Sequence, residues 1–342
     1  ILSNIEEYPV EGAGSSSLPE FLTESFPPVL PEWVMRELCL GNLLKKNPNI
    51  VAHVDPDEEA YKAFFDGENR CASYNAQFDK LLSNPRLLSL MKYWRRNVRI
   101  MMGRVPKLKF DVSTSGATTN LGRGNSVLER FSRPEVTFEL FEALTSFGPP
   151  APSPLWGCVL KANLVKGNVA KCVPKTAFVS RLVNPEPCIN ASVQREQGLH
   201  LAKRCRLFGI NIQDGQDRHR DMAWLASILG HLATDDQSNA SGHIYSKLVQ
   251  FLVSEDWWFW LNSSRSHFAE VERSDTKNFS HSHRLNVFAT MGNGFCFELE
   301  TIIFYALIWA CVGKRHEDIS VFGDDCIYPV EYVPLVHKAF KA

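Results

Sequence analysis

The run Ser320-Val321-Phe322-Gly323-Asp324-Asp325-Cys326-Ile327-Tyr328 constrains the fold more than any other stretch of this chain. Val321, Ile327 and Tyr328 suit strands, and a glycine at the first of two turn positions suits a tight hairpin of the II′ type. Such a hairpin closes an antiparallel pair and projects two carboxylates, Asp324 and Asp325, from a rigid tip. Carboxylates held this way bind hard cations such as Mg²⁺ and leave coordination positions open for phosphate oxygens. The competing account is a polar surface hairpin. Other parts of the chain decide between the two.

With 342 residues the chain has room for two or three subdomains around a sizeable core. A composition of 44% hydrophobic and 22% charged residues is that of an ordinary globular protein. No apolar run reaches the length of a membrane span, and the N-terminus lacks a basic-then-apolar signal pattern. Ile1 in first position is expected to mark a processed chain or an excerpt of a longer reading frame. The nine cysteines form no C-x-x-C pair and have no histidine at zinc-finger spacing. They read as reduced, mostly buried thiols of a cytosolic protein.

A net charge of −1 conceals an uneven distribution. Residues 1–68 hold 13 acidic and 4 basic side chains, leaving 25 acidic and 33 basic in the remainder. Between Met91 and Phe110 there are seven basic residues and no acidic one, Arg95, Arg96 and Arg99 among them. Between Gly157 and Pro185 there are five, including Lys175 and Arg181, again with no acid. A solvated helix face would explain the first run. Two acid-free basic stretches beside a candidate cation site instead suggest a surface for polyphosphate or nucleic acid.

Residues 1–30, with Gly-Ala-Gly-Ser-Ser-Ser and a Pro-Pro pair, read as an extended or loosely packed leader. Asp55-Pro56-Asp57-Glu58-Glu59 places proline and acids where a helix start favours them, and predicts a helix through Phe64, Phe65, Cys71 and Ala72. Further helices are expected over about 84–103 and 190–207, and a Gly/Ser/Thr loop over 113–125. His231–Asp236 reads as a short strand ending in acids, followed by a helix from Ser238 to Phe251. Trp257-Trp258-Phe259-Trp260 is expected to be core rather than a base-stacking platform. Met291-Gly292-Asn293-Gly294 precedes a helix in which Leu299, Ile302, Ile303, Ala306 and Ala310 recur at helical spacing. No internal repeat is evident.

Two-metal phosphoryl transfer needs carboxylates from neighbouring strands, and Asp236 and Asp324, 88 residues apart, can supply them if both strands share a sheet. Asp236-x-Ser238-x-Ala240-Ser241, Met291-Gly292-Asn293-Gly294-Phe295-x-Phe297-Glu298-Leu299-Glu300 and Phe322-Gly323-Asp324-Asp325 resemble motifs A, B and C of RNA-dependent RNA polymerases. The version is similar to the replicase catalytic subunit of single-stranded RNA bacteriophages, the Qβ-like levivirus group. Upstream stretches agree in order: Phe65-x-x-Glu68-x-x-Cys71-x-x-x-Asn75, Ser115-Gly116-Ala117-Thr118-Thr119, Val173-Pro174-Lys175 with Arg181 and Glu186-Pro187, and Phe208-Gly209-Ile210. The likeness covers roughly residues 50–342.

The resemblance implies an α+β right-hand polymerase with mostly helical fingers and an antiparallel-sheet palm. It divides the chain into an N-terminal leader (1–50), fingers (51–225) and palm (226–342, with a fingers insertion at about 255–288), the thumb being absent. It implies template-directed RNA synthesis from nucleoside triphosphates, with two Mg²⁺ ions that Mn²⁺ can replace, held by Asp236, Asp324 and Asp325. Asp235 is the rival for the first of these places. Lys175 and Arg181 match the segment that contacts the incoming triphosphate, and Ser241, Gly292, Asn293 and Glu300 complete the nucleotide site. Ser113 and Gly116 fit the loop that guides template, with Arg95, Arg96 and Arg99 as further RNA contacts. The implied partners are template and nascent RNA, host elongation factors Tu and Ts and a host ribosomal protein, in the cytoplasm of the infected bacterium and without a membrane.

Five positions depart from the family pattern. Gly242 replaces the second aspartate of motif A, Cys296 the motif B threonine, Phe178 a lysine of the basic segment, and Arg218-His219 an Asn-Gln pair. The cation ligands are intact while ribose and phosphate contacts are altered. Two other readings remain: a polymerase-like fragment that binds RNA without extending it, and an unrelated metal-dependent phosphohydrolase. The second leaves the Gly-rich loop and the basic stretches unexplained.

Overall fold

The computed structural model describes residues 55–107, 116–147, 156–271 apart from 177, 238 and 239, 281–313 and 318–341, with scattered positions between 36 and 43. The expected leader falls almost wholly outside these residues, as does Ser113. In chain order the helices are α1 (Pro56–Leu82), α2 (Pro85–Met102), α3 (Val127–Ser132), α4 (Phe138–Phe147), α5 (Trp156–Leu160), α6 (Cys188–Arg206), α7 (Gln216–Leu229), α8 (Ser246–Leu252), α9 (Glu255–Ser264), α10 (Cys296–Val312) and α11 (Val333–Lys341). The strands are β1 (Glu135–Thr137), β2 (Asn163–Val165), β3 (Asn168–Pro174), β4 (Ser180–Val183), β5 (Leu232–Asp236), β6 (Phe268–Val271), β7 (His281–Arg284), β8 (Ser320–Phe322) and β9 (Asp325–Pro329).

The helix boundaries follow local chemistry. The Asp55 carboxylate accepts the Asp57 N–H at 2.9 Å, with Pro56 in the first helical position. Asn84 caps α2 by accepting the Arg86 and Leu87 amides at 3.1 and 3.4 Å, and Gly103 (φ +63°) ends it. Glu68, Cys71 and Asn75 recur three and four residues apart, so they share one face of α1. Glu68 is buried and accepts the Asn286 and Val287 amides at 2.6 and 3.2 Å. The Cys71 thiol donates to the Gly242 carbonyl, while Asn75 donates to the Asn286 carbonyl and accepts the Lys247 amide. Three polar side chains on one helix thus hold two segments roughly 170 to 220 residues downstream.

A three-stranded antiparallel sheet, ordered β5-β9-β8, lies at the centre. A second sheet, ordered β4-β3-β6-β7, joins β3 to β6 in parallel, and a short β1-β2 pair is also parallel. Strands β6 and β7 therefore belong to the sheet of the basic β3–β4 hairpin. Helix α10 backs β8 and β9 and packs against α2, α6 and α11. The sequence reads α10 as a long apolar helix, and Phe304, Tyr305, Leu307 and Ile308 are buried along with the regularly spaced positions, so the helix is enclosed on nearly all sides. Where α2 crosses it, Trp94 Nε1 and Asn97 Nδ2 donate to the Ile303 and Ala306 carbonyls at 2.8 and 3.3 Å.

Two other expectations meet the structure differently. The helix expected over Ser238–Phe251 is interrupted: a 3₁₀ turn spans Ser241–His243, and α8 begins only at Ser246. Tertiary pairing overrides helical periodicity here, because Tyr245 bridges Val287 and the Ile244 carbonyl accepts the Phe288 amide at 2.7 Å. Within the aromatic cluster, Trp257 is fully buried and donates its indole N–H to the Gly103 carbonyl at 2.8 Å. Trp258, Phe259 and Trp260 are half-buried against Phe288, Phe147 and one another, which makes the cluster core.

Replacing Glu68 with Ala would leave two backbone amides without their acceptor in a buried setting. The expected loss is about 3 kcal/mol or more of folding stability. Chemical denaturation of both proteins checks this, and a loss below about 1 kcal/mol would show that Glu68 does not hold the 286–287 segment.

Candidate active site

The site is built on the β5-β9-β8 register. Asp236 pairs directly with Asp325 across β5 and β9, and Asp325 pairs with Phe322 across the hairpin. Directly opposed residues share a face of the sheet, so Asp236 and Asp325 lie side by side. Asp324 sits at the tip between them in sequence, and its carbonyl accepts the Gln237 amide at 3.3 Å. Gly323 has φ +65°, as expected for the first position of such a turn. A side chain there would also meet Phe297 Cε2 at 2.3 Å. The Gly323 amide donates to Thr301 Oγ1 at 3.0 Å, and the Phe297 and Phe322 rings meet edge to face, centroids 5.0 Å apart. The hairpin tip is thereby pinned to α10.

Asp235 and Asp236 point to opposite faces, as neighbours on a strand must. Asp235 accepts the Tyr328 hydroxyl and lies 2.9 Å from His337 Nε2 on α11, so it belongs to the packing of the C-terminal helix. This separates the two rivals: Asp236, exposed and opposite Asp325, is the one beside the hairpin tip.

The carboxylates repel one another. Burial, Asp324 and Asp236 together raise the Asp325 carboxyl above its ordinary range, and nearby His219 partly offsets this. Glu300 on α10 is buried, and burial plus the Asp324 charge pushes its carboxyl up to about 8. Ser241 hydrogen-bonds the Cys296 thiol, which lies within reach of the Glu300 charge. That thiol is driven well above its usual range by burial and by Glu300 and Glu298, so it stays protonated. Among the described residues, no three His, Cys, Asp or Glu side chains are closed into a ready metal cage. Asp236, Asp324, Asp325, Glu300 and Ser241 do converge on one sheet edge and the adjoining first turns of α10.

The Met291–Gly294 loop before α10 is clamped by the chain that follows β4. The Asn184 amide donates to the Met291 carbonyl at 2.6 Å, and a Cβ on Gly292 (φ +131°) would lie 2.3 Å from the Asn184 carbonyl oxygen. The Gly294 amide donates to Gln194 Oε1 at 3.0 Å. Glycine here is a steric requirement of backbone contact, beyond any freedom to shift. Asn293 is 7% exposed; its Oδ1 accepts the Phe295 amide, and its Nδ2 finds no acceptor among the described residues.

The basic residues divide. Lys175 and Arg181 stand exposed on the β3–β4 hairpin, with Val173 opposite Arg181. Arg99 donates to the Leu252 and Val253 carbonyls, and Arg95 lies over the Phe251 ring at 4.7 Å. Arg96 is exposed. Gly116 begins an irregular stretch that Thr119 ties to the Glu186 carbonyl at 3.2 Å. Sequence reasoning missed Thr301, although a threonine inside an apolar helix was a signal. It noted His219 only as a departure, and His219 Nδ1 lies 3.2 Å from Ser320 Oγ at the base of the hairpin.

A family described as RNA replicase, beta-chain, matches residues 23–342. The chain belongs to that family. It is 37% identical over 181 residues to the RNA-directed RNA polymerase beta chain of Enterobacteria phage GA, covering 52% of this chain and 32% of that one. It is 35% identical over 180 residues to the beta chain of Escherichia phage MS2, covering 52% and 31%. Against the RNA-directed RNA polymerase subunit beta of Escherichia virus Qbeta it is 26% identical over 321 residues, covering 88% and 52%. The chain thus spans between about a third and about half the length of the curated relatives it matches. The solved structure of an insertion loop deletion mutant of a human picobirnavirus RNA-dependent RNA polymerase superposes with a TM-score of 0.36 at 11% identity, covering 91% of this chain and 72% of that one. That likeness is too loose to establish a shared fold.

Glu300 generates a pH prediction. Its carboxyl titrates near 8 in the folded chain and near the ordinary 4.5 when unfolded. Between those values the native state holds the extra proton, so stability falls as pH rises through the window. Glu300→Gln keeps the neutral shape and is expected to flatten that fall. Thermal denaturation at intervals from about pH 5 to about pH 8 reads the difference. Identical pH slopes in the two proteins would show that Glu300 does not carry the effect.

Proposed function

We propose that this chain carries the nucleotidyl-transfer centre of an RNA-directed RNA polymerase that copies phage RNA from nucleoside triphosphates. The observation that supports it most is the cross-strand pair Asp236–Asp325, with Asp324 beside it at a tip braced by Thr301. The donor set fits a hard divalent cation: two carboxylates on adjoining strands and a third in the turn beside them, where burial and then the Asp324 and Asp236 charges raise the Asp325 carboxyl. In this reading Asp236, Asp324 and Asp325 hold two Mg²⁺ ions, with Mn²⁺ as a substitute. Bound there, the ions neutralise phosphate charge and make an attacking hydroxyl more acidic.

The chain's own groups do the positioning. Lys175 and Arg181 grip the triphosphate of the incoming nucleotide, the arginine fork matching paired phosphate oxygens. Ser241, Gly292, Asn293 and Glu300 receive its sugar and base. Asn293 offers its Nδ2, which has no partner among the described residues, and Glu300, protonated near neutral pH, donates a hydrogen bond instead of repelling phosphate. Gly116, Ser113 and Arg96 guide template. Arg95 and Arg99 act mainly by shaping the surface through Phe251 and the end of α8. Residues 51–225 with about 255–288 serve as fingers, and 226–342 as palm. Host elongation factors Tu and Ts and a host ribosomal protein complete the assembly in the cytoplasm of the infected bacterium. Among the described residues no helix is long and apolar enough to cross a membrane.

A second reading, RNA binding without extension, draws support from the open arrangement of the three aspartates. Template-directed incorporation separates the two. With an RNA template, nucleoside triphosphates and Mg²⁺ the chain is expected to extend RNA, and Asp324→Asn to reduce the rate by roughly 100-fold or more. RNA affinity should fall with salt, and Arg181→Ala should lower the salt slope by about one. Binding with no incorporation favours the second reading. Phosphate release without extension points to a hydrolase.

A further inference from the structure

The central sheet ends at β8, and a cavity of about 250 Å³ lies along that edge strand. The turn that leads into α7 forms its other wall. The buried Ile210 and Val321 line it, as do the exposed Asp214 and Arg218 and the ring-bearing Phe322. Strand register decides what the sheet offers here. The Gln237 amide donates to the Asp324 carbonyl at 3.3 Å and the Val330 amide to the His231 carbonyl at 3.0 Å. In this alternation Asp324, Cys326 and Tyr328 direct their backbone groups toward β5, while Asp325 and Ile327 bond to Phe322 and Ser320 across the hairpin. Val321, between those two, therefore turns its N–H and C=O away from β9, out of the sheet and along the cavity.

The opposite wall is fixed by short-range contacts. Asn211 Oδ1 accepts the Gln213 and Asp214 amides at 3.2 and 3.3 Å, a side-chain turn that holds Asp214 in place. A Cβ on Gly215 would lie 2.0 Å from the Asn211 carbonyl oxygen, so the turn closes only with glycine there. Arg218 Nη1 donates to the Gly209 carbonyl at 3.1 Å, which anchors the guanidinium beside the cavity.

We propose that this cavity binds a guanine base. Along one edge guanine presents two acceptors, N7 and O6, followed by two donors, N1–H and N2–H. An arginine fork suits the acceptors and a carboxylate suits the donors, and Arg218 and Asp214 line the same cavity four residues apart. The outward N–H and C=O of Val321 can meet a flat heterocycle lying along β8, and Ile210 gives the ring an apolar contact. Adenine reverses the pattern: its amino group would face Arg218, and its N1 lone pair would face Asp214. The site lies on the far edge of the sheet from β5 and uses none of the three aspartates of the cation site. It does not depend on the polymerase reading.

Calorimetric titration of the full chain with guanosine, in EDTA, tests this, because guanosine has no phosphate to engage a cation site or the basic hairpin. Guanosine is expected to bind with a Kd of roughly 0.1 mM or below. Adenosine is expected to bind at least about tenfold more weakly. Asp214→Asn and Arg218→Gln should each weaken guanosine binding by about tenfold. Both side chains are exposed, so an unchanged melting temperature shows that the loss is local. Guanosine should also shift the Val321 and Gly209 amide resonances at lower concentration than those of Asp236 and Gln237. Guanine within RNA offers the same edge. Displacement of guanosine by the trinucleotide AGA but not by AAA assigns the occupant to RNA, and no displacement assigns it to the free nucleoside; either keeps the guanine site. Absence of saturable guanosine binding, equal affinity for guanosine and adenosine, or undiminished affinity in both variants overturns the proposal. Failure of the chain to extend RNA overturns the polymerase reading and leaves this site standing.

Discussion

Enclosure of α10 is the constraint on which the rest of the structure depends. Its residues Leu299, Ile302, Ile303, Phe304, Tyr305, Ala306, Leu307 and Ile308 are all buried, so every side of the helix must find a partner. The α2 helix covers one side, with Trp94 and Asn97 fixing the crossing by hydrogen bonds to backbone carbonyls. The α6 and α11 helices and the β8–β9 hairpin take others. The polar residues Glu300 and Thr301 near its N-terminal end meet the hairpin tip: Thr301 binds Gly323, and Glu300 faces the Asp324 charge. An apolar pillar with two polar positions therefore decides where the aspartates stand.

This arrangement stores electrostatic tension at one place. Asp236 and Asp325 are held side by side by strand register, and neither can move away without breaking the β5–β9 pairing. Asp324 adds a third charge, and Glu300 relieves part of the repulsion by staying protonated. Sites that crowd like charges on rigid backbone are poised to bind a counter-charge. The neighbouring Asp235 shows the contrast. One residue away, but on the other face, it is satisfied by Tyr328 and His337 and takes part in packing.

Features written in local chemistry were legible in the sequence. Asp55-Pro56 and Gly103 marked helix ends, and Gly323 between strand-forming residues marked the hairpin. Asp236 and Asp324 could come together only if strand and hairpin shared a sheet, and β5 does pair with the β8–β9 hairpin. What could not be read depends on distant partners. The expected 238–251 helix breaks because Ile244 and Tyr245 pair with residues some forty positions later. Arg95 and Arg99 looked like free surface charges, yet Phe251 and two carbonyls at the end of α8 engage them. The buried hydrogen bonds that join Asn168 to Asn184 and Thr290 leave no periodic trace, since single asparagines and threonines are ordinary in loops and strand ends.

The central claim is that strand register and the Gly323–Thr301 contact bring Asp236, Asp324 and Asp325 to a single cation site. Paramagnetic broadening of backbone amide resonances by substoichiometric Mn²⁺ tests this most directly. The account predicts that the amides of Asp236 and Gln237 on one segment and of Gly323, Asp324 and Asp325 on the other fade together, at the lowest Mn²⁺ added. Broadening of only one of the two segments, or first loss of signals elsewhere in the chain, would contradict it.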